Sequence, residues 1–164
     1  MKRICATLFL LLCTSTSFAQ AQSVNWKRIE GVITALNVDN PVNDIHSGTF
    51  PWSTRDGKAT VNLANGSTSF EVDGLVIVGA VFSGTPGPIQ KVKGTLVCNA
   101  GEKKQAVLDT AAVPISGQGN AHFSGRLSGR VPTTCTNPLF LVRIAIPTGA
   151  AGLWIATGAE RTFE

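Results

Sequence analysis

The chain has 164 residues, of which 14 are Lys or Arg and 10 are Asp or Glu, and 43% are hydrophobic. A formal charge of +4, carried by basic residues scattered in runs no longer than two, excludes the charged stripe of a nucleic-acid binder. The length fits one domain, and no apolar stretch reaches the roughly eighteen residues that suggest a membrane-spanning helix.

The N-terminus has the three parts of a secretory signal. Lys2 and Arg3 are basic, Ile4 to Cys13 is apolar, and Ser17-Phe18-Ala19 and Ala19-Gln20-Ala21 offer small-x-small cleavage patterns. The apolar run is about half of what a bilayer span needs. Cys13 follows Leu12 rather than a small residue, which argues against lipid attachment there. Residues 1–21 are expected to be a cleaved signal peptide and 22–164 a single secreted or periplasmic domain. Loss of Lys2 and Arg3 lowers the charge of +4 by two.

The domain reads as short alternating runs between turn signals, about every 8 to 12 residues. Trp26–Val38 reads as a long first strand, with Ile29, Gly31, Ile33 and Ala35 on one face and a bulge at Gly31. Residues 39–58 then read as a loop, punctuated by Asn-Pro, Ser-Gly, Phe-Pro and Asp-Gly steps, with room for a short edge strand near Thr49–Thr54. Loops of this length are uncommon and often functional. Ala59–Ala64 and Ser67–Val72 flank Asn65-Gly66, the signature of a type I′ hairpin. Asn65-Gly66-Ser67 also matches a glycosylation acceptor, relevant in a eukaryotic secretory pathway.

Leu75–Phe82 is apolar on both faces and reads as a central strand. Lys91–Cys98 alternates, with Val92, Gly94, Leu96 and Cys98 facing inward. Lys104–Val113 and Gly119–Leu127 follow, the second turning Ala121, Phe123, Gly125 and Leu127 inward and His122 outward. Leu139–Ile146 and Gly152–Gly158 complete the set. The fold class is therefore all-β: a single antiparallel β-sandwich, Ig-like or jelly-roll-like, of eight to ten strands. An outer-membrane barrel would also alternate, but it needs aromatic girdles, and this chain has no Tyr and three Trp.

With the signal removed, Cys98 and Cys135 remain. A separated pair without a Cys-x-x-Cys motif, in an oxidising compartment, reads as a structural disulfide. Its loop of about 38 residues is worth about 4 kcal/mol in the chain-entropy picture.

No Gly-x-Ser-x-Gly elbow, zinc spacing or EF-hand pattern is present. Glu30 and Glu71 read as exposed strand positions, and the other acids as turn residues. The 39–58 loop holds the candidates. Phe50-Pro51-Trp52 offers an aromatic that could stack on a sugar, with Arg55 and His46 as polar partners, or else fold back as a lid. Asp39 and Asp44, with Asn40, Asn43 and Asp56 nearby, are the oxygen donors for a metal, and calcium is the cation such a loop would take. Lys91, Lys93, Arg126 and Arg130 would form a basic face if their strands were neighbours. The expected function is that of a binding or structural module with no tightly held cofactor, its partner a carbohydrate or cell-surface component. The alternative is a secreted hydrolase with its site at the 39–58 loop and His122.

Overall fold

The structure, a computed structural model, describes residues 22–79, 81–102 and 105–164; the expected signal segment lies outside them. The chain is all-β, as expected, with strands β1 (Ser23–Gly31), β2 (Trp52–Ser53), β3 (Asp56–Asn62), β4 (Ser67–Asp73), β5 (Val76–Ile77) and β6 (Lys91–Cys98). They continue as β7 (Ala106–Asp109), β8 (Val113–Pro114), β9 (Ala121–Arg126), β10 (Leu139–Ala145) and β11 (Ala151–Phe163). Among the described residues, no helix is long and apolar enough to cross a membrane.

Among the described residues, nine strands form one antiparallel sheet in the order β7-β6-β10-β11-β1-β3-β4-β9, with β8 beside β7 on the same edge of β6. The connections β4 to β6 and β9 to β10 skip neighbouring strands, in the manner of a Greek key. The sheet curls over its inner face, so its two halves oppose each other across the core like the layers of a sandwich. Ser128 N donates to Asp109 O at 2.7 Å, drawing the chain beyond β9 against the β7 edge. The inner face is apolar, while β3, β4 and β9 turn Lys58, Glu71, Ser69, Ser124 and Arg126 outward. That is the reverse of a membrane-spanning barrel, whose band of apolar side chains faces out.

Four aromatic rings pack together in the interior. Phe140 of β10 lies 5.5 Å from Trp26 of β1 and 5.7 Å from Phe70 of β4, centroid to centroid. Phe70 in turn stacks on Phe123 of β9 at 5.9 Å. Strands far apart in the sheet order thus meet through side chains, and Gly94 of β6 makes the room. A Cβ there would come within 2.6 Å of Phe140 and 2.9 Å of Phe70.

Cys98 ends β6 fully buried and is bonded to Cys135, with their Cα atoms 4.8 Å apart. This bond ties the 127–138 connection to the end of the sheet where both termini lie. Ser23 and Glu164 exchange two backbone hydrogen bonds of 3.0 Å at that same end. The opposite end carries the loops 32–51 and 78–90, the β8–β9 turn and the β10–β11 hairpin.

Three segments differ from the sequence expectation. The first strand stops at Gly31 instead of Val38, because the Trp52 backbone passes over Gly31 where a Cβ would collide with its carbonyl. Among the described residues of Leu75–Phe82, only Val76–Ile77 pairs as strand, and it pairs with β2, outside the main sheet. Gly79, at φ 65°, turns the chain out of extended structure there. The run Lys104–Val113 is interrupted at Thr110. There Thr110 N donates to Gly94 O at 2.8 Å, and Gly94 N donates to Thr110 Oγ1 at 2.9 Å. β10 is also irregular: its register with β11 shifts on both sides of Arg143. The half-buried Arg143 bridges the irregularity, donating from Nε to Gly152 O at 2.7 Å and from Nη2 to Ala151 O at 3.0 Å. Burial lowers its pKa, and Asp109, 3.8 Å away, opposes that shift.

Gly94→Ala should destabilise the domain by about 1–3 kcal/mol through overpacking against the two rings. Replacing both Cys98 and Cys135 by Ala should cost about 2–5 kcal/mol. Denaturant melts of the two variants beside the parent test both; an unchanged midpoint for either removes that part of the account.

Candidate functional site

The 32–51 segment is long but not loose. Asp39 organises it by accepting three hydrogen bonds. Nδ1 of His46 donates to Oδ2 at 2.5 Å, while Ser47 donates to Oδ1 from N at 2.8 Å and from Oγ at 3.2 Å. Asn40 N closes the circle on Ser47 Oγ at 2.8 Å. The bond from His46 holds the Asp39 carboxyl below its ordinary 3.8, and the Ser47 amide adds to the effect.

β11 carries this clasp. Trp154 N donates to His46 O at 3.0 Å, Gly48 N to Trp154 O at 2.7 Å, and the Trp154 indole to Asn40 O at 3.0 Å. Val42 and Ile45 exchange backbone bonds of 2.9 and 3.0 Å, closing the tip with Asn43 at φ 50°. Asn43 Nδ2 donates outward to Gln105 Oε1 at 2.6 Å.

The candidate residues divide among three places. Trp52 is 3% exposed. Its amide donates to Val32 O at 2.9 Å, and its indole lies over Gly48. It closes the loop end of the core and offers no open face for stacking, because the strand it belongs to is folded onto β1 and β5. Arg55 is exposed and shares a cleft of about 310 Å³ with Ile33, Arg28, Glu30 and the Trp52–Thr54 backbone. His46 and Asp44 border a different, mostly apolar cleft of about 310 Å³, walled by Ile45, Ile144, Ile146 and Leu153.

His122 stands apart from both. It faces outward on β9, in register with Glu71, in a groove formed with Asp73, Pro114 and Asn120. No residue of the 39–58 loop lines that groove, so the loop and His122 do not share one site. Ser47, the hydroxyl nearest His46 in sequence, is 1% exposed and bonded to Asp39 rather than to the imidazole. Among the described residues, no three His, Cys, Asp or Glu side chains gather to hold a metal. The four basic residues do not form one face: Lys91 and Lys93 begin β6 at the loop end, whereas Arg126 ends β9 at the termini end.

One feature was not legible in sequence. Nine large hydrophobic side chains are exposed among the described residues, and all but Val107 and Phe163 lie at the loop end. Ile33 is 89% exposed and Val81 75%. The only local signals were Gly31 and Gly79, which end the strands that would have buried them. No protein family, curated protein or solved structure matches this chain.

The clasp should be acid-sensitive. A carboxyl whose folded pKa is depressed adds stability above its unfolded value and loses it as pH falls through the lower folded value. Loop 39–47 should therefore loosen below the ordinary 3.8, and His46→Ala should move that transition upward toward it. The Trp154 indole N–H resonance during an acid titration reads this; an identical titration in the variant contradicts it.

Proposed function

We propose that the protein is an exported binding module that touches a cell-surface component with its loop end. The observation that carries this reading is a division between the two ends of the sheet. The termini and Cys98–Cys135 occupy one end, and a hydrogen-bonded loop holds apolar side chains out to solvent at the other. A merely structural loop gains nothing by exposing Ile33 and Leu36, whereas contact surfaces on secreted domains commonly sit on loops carried by a rigid scaffold.

The disulfide supports an oxidising compartment, in keeping with the signal expected over residues 1–21. A hydrolase is the weaker reading, since among the described residues His46 pairs with Asp39 and not with a Ser hydroxyl. A carbohydrate remains within the class of cell-surface partners, received by the Arg55 cleft rather than by stacking on Trp52.

Labelled protein comprising residues 22–164 should bind intact cells or a glycan array. Ile33→Ser with Val81→Ser should reduce that binding at least roughly fivefold, the loss expected from exposing two aliphatic contacts. Arg126→Ala, at the opposite end, should leave it unchanged. Equal effects from both ends, or no binding to cells or glycans, would refute the reading.

A further inference from the structure

We infer that the groove between the 78–90 segment and the β10–β11 hairpin is a binding site for a small amphipathic anion, an aliphatic chain ending in a carboxylate. This goes beyond contact with a cell surface and does not depend on it. The groove has a volume of about 500 Å³, the size of a small-ligand site. Ile89 and Ile144 form its floor. Both are half-buried, packed against the core on one side and open to the groove on the other. Pro88 stands at one wall, and Pro147 with the 41% exposed Ile146 at the other.

Hydrogen bonds hold both walls in place. Ile115 N donates to Gln90 O at 3.0 Å, fixing the end of the 78–90 segment. Ile146 N donates to Ala150 O at 3.0 Å and Gly149 N to Ile146 O at 2.8 Å, closing the hairpin. Lys93 Nζ donates to Gly149 O at 2.8 Å and ties the hairpin tip to β6. The groove therefore exists before a ligand arrives, which lowers the ordering cost of binding.

Its chemistry selects the ligand. Lys91 is the one charged side chain among the described residues that line it. It is exposed, and it is in no ion pair among the described residues. The segments that wall the groove, 74–90, 110–121 and 144–159, contain no acidic residue. Lys93 stands two positions along β6, and its carbonyl partner leaves its charge unneutralised. The neighbouring cleft shares Ile144 and Ile146 but carries Asp44 and His46, so the seat for an anion is confined to the Lys91 side. No aromatic ring lines the groove for a sugar to stack on. Gln90 and Lys91 are the side-chain donors among its described lining residues, too few for the hydroxyls of a sugar. An aliphatic chain needs no such partners, and one cation meets one carboxylate.

The test is calorimetric titration of residues 22–164 with octanoate, butanoate, 1-octanol and octyltrimethylammonium, beside NMR spectra of the isoleucine methyls. Octanoate should bind at one site and shift the methyls of Ile89, Ile144 and Ile146. It should bind at least roughly tenfold more tightly than butanoate, because a fully buried methylene is worth roughly fourfold and the open groove buries each in part. It should outbind octyltrimethylammonium at least roughly threefold. Lys91→Glu should reverse that order and leave 1-octanol unchanged. Ile146→Ser should weaken octanoate and 1-octanol alike, at least roughly threefold. Both side chains are exposed, so thermal melting should show an unchanged fold. Absence of saturable octanoate binding overturns the inference, as do octanoate shifts confined to Ile33 or Ile45. Equal binding of the two octyl ions overturns it, and so does a Lys91→Glu variant that keeps the preference of the parent. A parent dimer that Ile146→Ser dissolves also overturns it, because the groove is then an interface between two copies.

Discussion

The meeting of Phe70, Phe140 and Trp26 over Gly94 is the contact on which the rest of this structure depends. An open antiparallel sheet would leave one face in water. Bringing β4 and β10 within ring contact curls the sheet and buries that face. The glycine is required because two bulky residues meet from opposite sides of the fold above it. Curling also solves the problem of the sheet edges. Once the β9 side approaches the β7 side, the hydrogen bond from Ser128 to Asp109 can form, and less strand edge is left exposed to recruit another chain.

Closure by side chains explains the different characters of the two ends. At one end the chain is bound tightly by backbone exchange between Ser23 and Glu164 and by a covalent bridge to the 127–138 connection. At the other, Trp52 serves as the plug, and the loops above it are ordered by polar contacts: Asp39 with His46 and Ser47, and Trp154 with Asn40 and Gly48. Polar clasps hold a loop in shape without drawing its apolar side chains inward. Ile33 and Leu36 therefore stay in solvent although the segment around them is well hydrogen-bonded.

The local readings succeeded where the signal was carried by neighbouring residues. The turn between β3 and β4 falls where Asn65-Gly66 marks it, with Gly66 at φ 73°, but it is not the expected type I′ turn: Asn65 is not at positive φ, and Gly66 N closes a longer turn on Asn62 O at 2.8 Å. The alternation of Lys91–Cys98 predicts its inward face correctly. They failed where an apolar run had no partner strand. Leu75–Phe82 looks like a central strand in isolation, yet among its described residues only Leu75 and Ile77 find buried positions, and Phe82 is left 44% exposed. The candidate site shows the same limit. The sequence offers two places for Trp52, stacking on a ligand or folding back as a lid, and the structure takes the second, closing it over Gly48 as core.

Composition, alternation and cysteine spacing were enough to establish an all-β chain with Cys98 facing inward toward Cys135, because those features follow from the period of a strand and from the chemistry of a cysteine pair. Which apolar residues are covered, which loops stand together, and that His46 and His122 belong to separate surfaces were decided by the tertiary structure alone. Burial depends on a side chain and on whatever lies opposite it, and in this fold the opposing residues come from strands dozens of positions away.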